Sequence, residues 1–111
     1  MEFKETKKFT ELITGLLNDD DYKDLQEFLI VNPKAGDVIQ RTGGLRKIRW
    51  STKIKGKSGG IRTLYYYAEI NSIIFMIYAY PKSKKDNITS QQAKAFKSVI
   101  DNIKKDNKDN G

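Results

Sequence analysis

The chain has 111 residues, with 21 Lys and Arg against 14 Asp and Glu, and a formal net charge of +7 at pH 7. The absence of His and Cys excludes Ser-His-Asp and Cys-His nucleophiles, thiolate zinc sites and disulfides. Any catalysis must use Lys, Arg, Tyr, Ser, Thr or carboxylates, and we expect no metal and no other cofactor. The length suits one domain over residues 1–111. No apolar run approaches the roughly 20 residues that span a bilayer, so we expect a cytoplasmic protein without membrane contacts.

The first third of the chain is predicted to form an antiparallel pair of helices. The first begins near Thr6, and the second is capped by Asn18 and stopped at Asn32-Pro33, because a residue before proline is pushed out of the helical region. The aspartates at 19–21 fit the positive end of the second helix better than a metal site. The apolar residues of the first helix fall on one stripe: Phe9, Leu12, Ile13, Leu16 and Leu17.

After Pro33 the apolar period changes to two, which indicates strands. Leu45–Ser51 alternates, so Lys47 and Arg49 share one side of a strand and the residues between them share the other. Ile61–Ala68 and Ser72–Tyr80 are two further β-rich runs that predict a hairpin. The intervening segment 52–60 has the composition of a flexible basic loop.

The chain closes with a third predicted helix, capped by Thr89 and carrying an apolar stripe through Ile103. The polar tail Lys104–Gly111 is expected to fray. The order predicts an α+β domain: a short N-terminal strand or arm, two helices, a twisted and mainly antiparallel sheet of three to four strands, and a C-terminal helix. We expect the helices on one face of the sheet.

Positive charge is concentrated in the middle of the sequence. Residues 1–37 carry a net charge of −4 and residues 69–111 a net charge of +3, whereas residues 38–68 contain no acid. Cations interleaved with Trp50 and three tyrosines favour nucleic-acid binding over a merely solvated basic face. The eight cations of this central block are Arg41, Arg46, Lys47, Arg49, Lys53, Lys55, Lys57 and Arg62.

A cluster of lysines and arginines on one side of a sheet can cleave RNA without histidine. RNA supplies its own nucleophile, the 2′-hydroxyl. Repulsion among neighbouring cations favours a neutral lysine that acts as a general base, and arginines stabilise the charge of the transition state. The same residues would also serve a basic RNA-binding surface without catalysis, and the residue pattern alone favours that surface over catalysis.

Three motifs give the chain a resemblance to a known family. The runs NPKAGDVIQRTGGLRKIRW, GKSGGIRTLYYY and IYAYPKSKKDNIT are similar, in order and spacing, to motifs of the HigB branch of the RelE/ParE toxin superfamily. The resemblance extends from Tyr22 to about Ile103. It implies a RelE-like fold and the toxin of a type II toxin–antitoxin system, a ribosome-dependent endoribonuclease (mRNA interferase) that cuts translated mRNA in the A site and inhibits translation.

The resemblance also implies roles for particular residues. By position, Lys47 is the candidate general base, Arg49 a phosphate ligand and Arg62 the transition-state arginine. Lys82 matches the basic residue that aids the leaving group, and Tyr80 is expected to stack on a base. Some better-characterised relatives carry Arg where Ser83 stands, and they carry a catalytic Tyr in the C-terminal segment, where no Tyr follows Lys82 here. The general acid is therefore left open among Lys84, Lys85 and groups of the ribosome.

Four of the other central cations, Arg46, Lys53, Lys55 and Lys57, are expected to bind phosphates of ribosomal RNA. Lys84 and Lys85, which follow the last predicted strand, are expected to bind RNA as well. For the loop lysines the alternative is solvation of a mobile loop, and for Arg46, which shares a strand side with Ile48 and Trp50, a structural role. Of the tyrosines at 65–67, one or two are expected in the core because neighbours point to opposite faces.

The implied partners are the ribosomal 30S A site with its mRNA and a cognate antitoxin. The antitoxin is expected to be a helix-turn-helix protein encoded by the adjacent gene, and operator DNA would be bound only through it. Two other functions stay open. One is a non-catalytic toxin of the same fold that inhibits DNA gyrase, and the other is a basic RNA-binding regulator.

Overall fold

The computed structural model describes residues 1–51, 60–82 and 87–109, with side chains through Asp106 in the last range. Two helices follow a short first strand, four strands occupy the centre, and a long helix closes the chain, which confirms the α+β prediction. The elements are β1 (Glu2–Glu5), α1 (Lys7–Leu16), α2 (Asp19–Val31), β2 (Asp37–Val38), β3 (Arg46–Trp50), β4 (Ile61–Ala68), a 3₁₀ turn (Glu69–Asn71), β5 (Ile73–Pro81) and α3 (Ser90–Asp109).

The described strands form one sheet in the order β1-β5-β4-β3-β2. β1 runs parallel to β5, and the other neighbours are antiparallel. The sheet therefore has five strands, where the sequence predicted three to four. β1 and β2 contain four and two residues, too few for an alternating pattern to stand out.

The helices α1 and α2 pack on one face of the sheet. Both helix starts match the prediction, and so does the Asn18 cap, whose side chain accepts a hydrogen bond from the Asp21 amide. The Thr6 hydroxyl likewise caps α1, because it accepts a hydrogen bond from the Phe9 amide. Each cap satisfies an amide that the helix leaves without a partner. The apolar stripes of both helices, with inward residues of β4 and β5, form the larger core: Phe9, Ile13, Leu17, Leu25, Leu29, Ile61, Tyr65, Ile74, Met76 and Ala79.

The helix α3 covers the opposite face, so the expectation of helices on one face was wrong. It packs Ile100 against Leu45, Leu64 and Ile77 in a second core. An apolar stripe shows that a helix buries one side but carries no information on which sheet face receives it. In the sheet beneath this helix, the register of β4 on β5 shifts at a β-bulge between Leu64 and Tyr65. The helix continues to Asp109, past the start of the tail that was expected to fray.

Candidate functional site

Cross-strand pairing brings the predicted basic residues onto the face that α3 covers in part. Arg49 lies opposite Arg62, Arg62 lies opposite Tyr80, and Lys47 lies opposite Leu64. Residues opposite each other in a sheet share a face, and Leu64 belongs to the core beneath α3. The predicted alignment of Lys47 with Arg49 is therefore confirmed, and Arg62 and Tyr80 project on the same side. We call Lys47, Arg49, Arg62 and Tyr80 the basic face.

Lys47 and Arg49 are the accessible members of the basic face. Lys47 is half-buried, and its Nζ donates a hydrogen bond to Asn87 Oδ1 at 3.1 Å. Arg49 is exposed, and its side chain bonds to no other residue in the described part of the chain. Asn87 lies just before α3, so the segment that leads into the helix contacts the lysine amine.

Arg62 and Tyr80 lie beneath the surface. Their relative exposures are 1% and 5%, and the Tyr80 ring packs on Tyr78 with centroids 6.0 Å apart. In this conformation Tyr80 offers no open ring face to a base, and Arg62 offers no open guanidinium to a phosphate. Because the protein interior has a low dielectric constant, the buried Arg62 charge nevertheless interacts more strongly with neighbouring charges than it would in water.

Lys82 is placed beside the basic face by a backbone contact. Its amide donates a hydrogen bond to the Gly60 carbonyl at 3.2 Å. Gly60 immediately precedes β4, two residues before Arg62. The backbone of Lys82, whose side chain is exposed, therefore lies at the same end of the sheet as the pair Arg62 and Tyr80.

Arg46 lies on the other face of β3 and contributes to the fold. One guanidinium nitrogen, Nη1, donates to the carbonyl oxygens of Gly36 at 2.7 Å and Lys34 at 3.0 Å. The Tyr65 hydroxyl holds the same loop, because it donates to the Pro33 carbonyl and accepts from the Gly36 amide, both at 2.9 Å. The structure thus does not bring Arg46 to the basic face.

The three consecutive tyrosines divide between the two cores. Tyr65 is fully buried and Tyr67 packs on the larger core, on the α1–α2 face. Tyr66 packs on the opposite face, with Lys104 Nζ 5.8 Å from its ring centroid. Burial raises the pKa of Tyr65 and of Tyr66 above the ordinary tyrosine value. Of the three, Tyr65 is a buried core residue and the other two are partly buried against the cores, which agrees with the expectation of one or two core tyrosines.

Five predicted RNA-binding residues, Lys53, Lys55, Lys57, Lys84 and Lys85, lie outside the described residues. Conversely, sequence reasoning missed Asn87, which bonds to Lys47. The sequence signal was weak: a polar residue two positions before the helix cap at Thr89, and nothing that linked it to β3 across 40 residues.

A family model matches the part of the chain that contains the basic face. Residues 33–110 match the family of the RelE toxin of the RelE/RelB toxin–antitoxin system. The chain belongs to the RelE toxin family. The match includes every element from β2 to α3, and with them Lys47, Arg49, Arg62 and Lys82.

Membership of the RelE family identifies the chain as a toxin of a toxin–antitoxin system, and such a system implies a cognate antitoxin. Among the helices described, none is long and apolar enough to cross a bilayer.

Proposed function

We propose that this RelE-family toxin is a ribosome-dependent mRNA endonuclease of the HigB branch, which inhibits translation by cutting mRNA in the ribosomal A site. The observation that carries the proposal is the register of β3 on β4. It sets Arg49 opposite Arg62 and leaves Lys47 on the same face within reach of solvent. A base and a phosphate ligand thus come from alternate residues of one strand, and the rigidity of a paired strand favours a fixed geometry between them.

In the proposed reaction, Lys47 accepts the proton of the 2′-hydroxyl, and the 2′-oxygen attacks the adjacent phosphorus. Arg49 binds the phosphate oxygens and stabilises the negative charge that grows on them. The bond from phosphorus to the 5′-oxygen breaks, and Lys82 or another cation protonates the leaving oxygen. The products are a 2′,3′-cyclic phosphate and a 5′-hydroxyl, so every proton and electron pair is accounted for without a metal.

Arg62 and Tyr80 have indirect roles in this proposal. Arg62 lies opposite both Arg49 and Tyr80 in the sheet and is 1% exposed. A buried cation at this position adds to the electrostatic potential on the phosphate even where it makes no direct contact. Stacking of Tyr80 on a base, and direct binding of a phosphate by Arg62, would each require the RNA to displace what covers these side chains.

The proposed partners follow from the same activity. The toxin would bind the 30S A site together with its mRNA, with loop lysines neutralising ribosomal RNA phosphates. A helix-turn-helix antitoxin encoded next to the toxin gene would neutralise it, and operator DNA would be bound only by the complex. We propose a cytoplasmic location, where translating ribosomes are found.

A purified translation reaction tests the proposed function. An mRNA that these ribosomes translate is incubated with the toxin, with and without ribosomes, and new 5′ ends are mapped by primer extension. We expect cleavage within translated codons only when ribosomes are present, and a loss of about 100-fold or more in Arg49→Ala. The matched control is Lys8→Gln, which removes one exposed cation from α1 and leaves cleavage unchanged.

Two outcomes would contradict the proposal. Growth arrest with DNA damage and intact mRNA would favour the gyrase-inhibiting alternative. Salt-sensitive RNA binding without cleavage or toxicity would favour an RNA-binding regulator.

A further inference from the structure

The connection between β2 and β3 contains an arginine in a left-handed backbone conformation. Arg41 has a φ of 67°, and of the non-glycine residues that the structure describes only Ser72 shares a positive φ. Crowding between Cβ and the backbone disfavours this region for arginine, whereas glycine adopts it without penalty. Local geometry therefore favours glycine at position 41 and gives no reason for the arginine.

The turn that carries Arg41 is held rigidly. Its neighbour Thr42 is fully buried, and the Thr42 hydroxyl donates to the Ile39 carbonyl at 2.6 Å and accepts from the Leu45 amide at 3.1 Å. Gly43, with a φ of 80°, lies beside α3, where an added Cβ would be in van der Waals contact with Ile100 at 3.4 Å. The backbone of Arg41 is thus fixed by contacts on both sides of the turn.

The Arg41 side chain is exposed and makes no polar contact with the residues that the structure describes. No hydrogen bond or ion pair joins it to another residue in the ranges 1–51, 60–82 and 87–106. By contrast, Arg46 bonds to two carbonyls and Lys47 bonds to Asn87. Among the central-block cations that the structure describes, only Arg49 resembles Arg41 in being both exposed and unbonded.

We propose that Arg41 is a second phosphate-binding residue of the toxin, which contacts RNA beside the basic face. The inference rests on the proposed function. Arg41 precedes β3 and Arg49 lies near its far end, and the strand alone separates residues 46 and 49 by about 10 Å. The two arginines thus suit phosphates of different nucleotides. A guanidinium on a rigid turn loses little backbone freedom on binding and matches phosphate geometry.

The test relies on the fact that the backbone conformation at position 41 favours glycine, whereas phosphate binding requires the arginine charge. Arg41→Gly relieves the positive φ and removes the charge, Arg41→Asn removes the charge with a residue that tolerates this conformation, and Arg41→Lys keeps the charge. Lys8→Gln is the matched loss of a cation elsewhere. Each protein is assayed by thermal unfolding and by binding, over a salt series, to a labelled single-stranded RNA and to vacant ribosomes.

We expect Arg41→Gly to unfold about 4 °C higher than wild type and yet to bind RNA about tenfold more weakly. The slope of log affinity against log salt should fall by about one for Arg41→Gly and Arg41→Asn. Arg41→Lys and Lys8→Gln should keep the wild-type slope. A loss seen with vacant ribosomes assigns the phosphate to ribosomal RNA, and a loss seen with the oligonucleotide alone assigns it to mRNA.

The inference is overturned if Arg41→Gly and Arg41→Asn bind both probes with wild-type affinity and slope. If the wild-type toxin binds and cuts mRNA on ribosomes while these variants do the same, Arg41 has no role and the proposed function stands. If the wild-type protein neither binds nor cuts RNA, the proposed function fails and the role of Arg41 fails with it.

Discussion

Arg46 and Lys47 are adjacent in β3 and point to opposite faces of the sheet, where each donates hydrogen bonds to a different part of the chain. Arg46 Nη1 donates to the Gly36 carbonyl at 2.7 Å on the α1–α2 face. Lys47 Nζ donates to Asn87 Oδ1 at 3.1 Å on the α3 face. One cation therefore holds a loop of the fold, and the next is presented to the solvent beside Arg49.

This division predicts opposite phenotypes for two neighbouring alanine variants. Lys47→Ala should lower cleavage about 100-fold or more, because a general base is lost, and should change the free energy of unfolding by less than about 0.5 kcal/mol. Arg46→Ala should lower that free energy by about 1 to 3 kcal/mol, because two charge-assisted hydrogen bonds to carbonyls are lost. The folded fraction of Arg46→Ala should cut mRNA at the wild-type rate.

Urea denaturation and the ribosome-dependent cleavage assay, run on the same preparations, separate the two effects. A cleavage defect in Arg46→Ala that persists at full folding would place Arg46 in RNA binding. Wild-type cleavage by Lys47→Ala would remove the proposed base.

Two buried threonines should respond in opposite directions to replacement by valine. Thr63 is fully buried, and its hydroxyl is the one buried side-chain polar atom without a hydrogen-bond partner among the described residues. Thr63→Val should raise the free energy of unfolding by about 1 kcal/mol, because an unpaired hydroxyl is costly to bury. Thr42→Val should lower it by about 1 to 3 kcal/mol, because the Thr42 hydroxyl makes two hydrogen bonds.

Thermal or urea unfolding of both valine variants checks this prediction. Destabilisation by Thr63→Val would mean that its hydroxyl is satisfied in solution, for instance by a bound water.

Alkaline pH should weaken the fold through its buried tyrosines. Burial raises the pKa of Tyr65 and Tyr66, and burial together with a hydrogen bond to Glu5 raises that of Tyr22. Above about pH 10 the unfolded chain releases these protons while the folded chain retains them. The free energy of unfolding is therefore expected to be unaffected by these groups below about pH 10 and to fall as the pH rises beyond it.

Urea midpoints measured at pH 8 and near pH 11 test this dependence. Tyr66→Phe should reduce the alkaline loss, because burial is the cause of its raised pKa. An equal loss in wild type and Tyr66→Phe would show that Tyr66 does not contribute.

The local structure was predictable where a short pattern fixes it. Thr6, Asn18 and Thr89 each accept a hydrogen bond from a backbone amide of the same helix turn, and all three of these local bonds are present. The side of β3 shared by Lys47 and Arg49 follows from a period of two. These features need no information about distant parts of the chain.

What depends on distant contacts could not be predicted. The sequence does not show that Arg62 would be 1% exposed, because alternation assigns a face and not what covers it. It does not pair Lys47 with Asn87, nor place α3 opposite α1 and α2. The parallel pairing of β1 with β5 joins residues 71 positions apart, such as Glu2 and Ile73, and the four residues of β1 carry no pattern that indicates it.

The most direct test of the central claim replaces the proposed nucleophile in the RNA. Ribosomes are programmed with one of two mRNAs, an all-ribose mRNA or the same mRNA with a single 2′-deoxynucleotide immediately 5′ of the mapped cleavage site. The 5′ ends that the wild-type toxin forms on the two mRNAs are then compared. We predict cleavage of the ribose mRNA to a 2′,3′-cyclic phosphate and no cleavage at the deoxy position. Equal cleavage of both mRNAs would contradict attack by the 2′-hydroxyl and the roles assigned to Lys47 and Arg49.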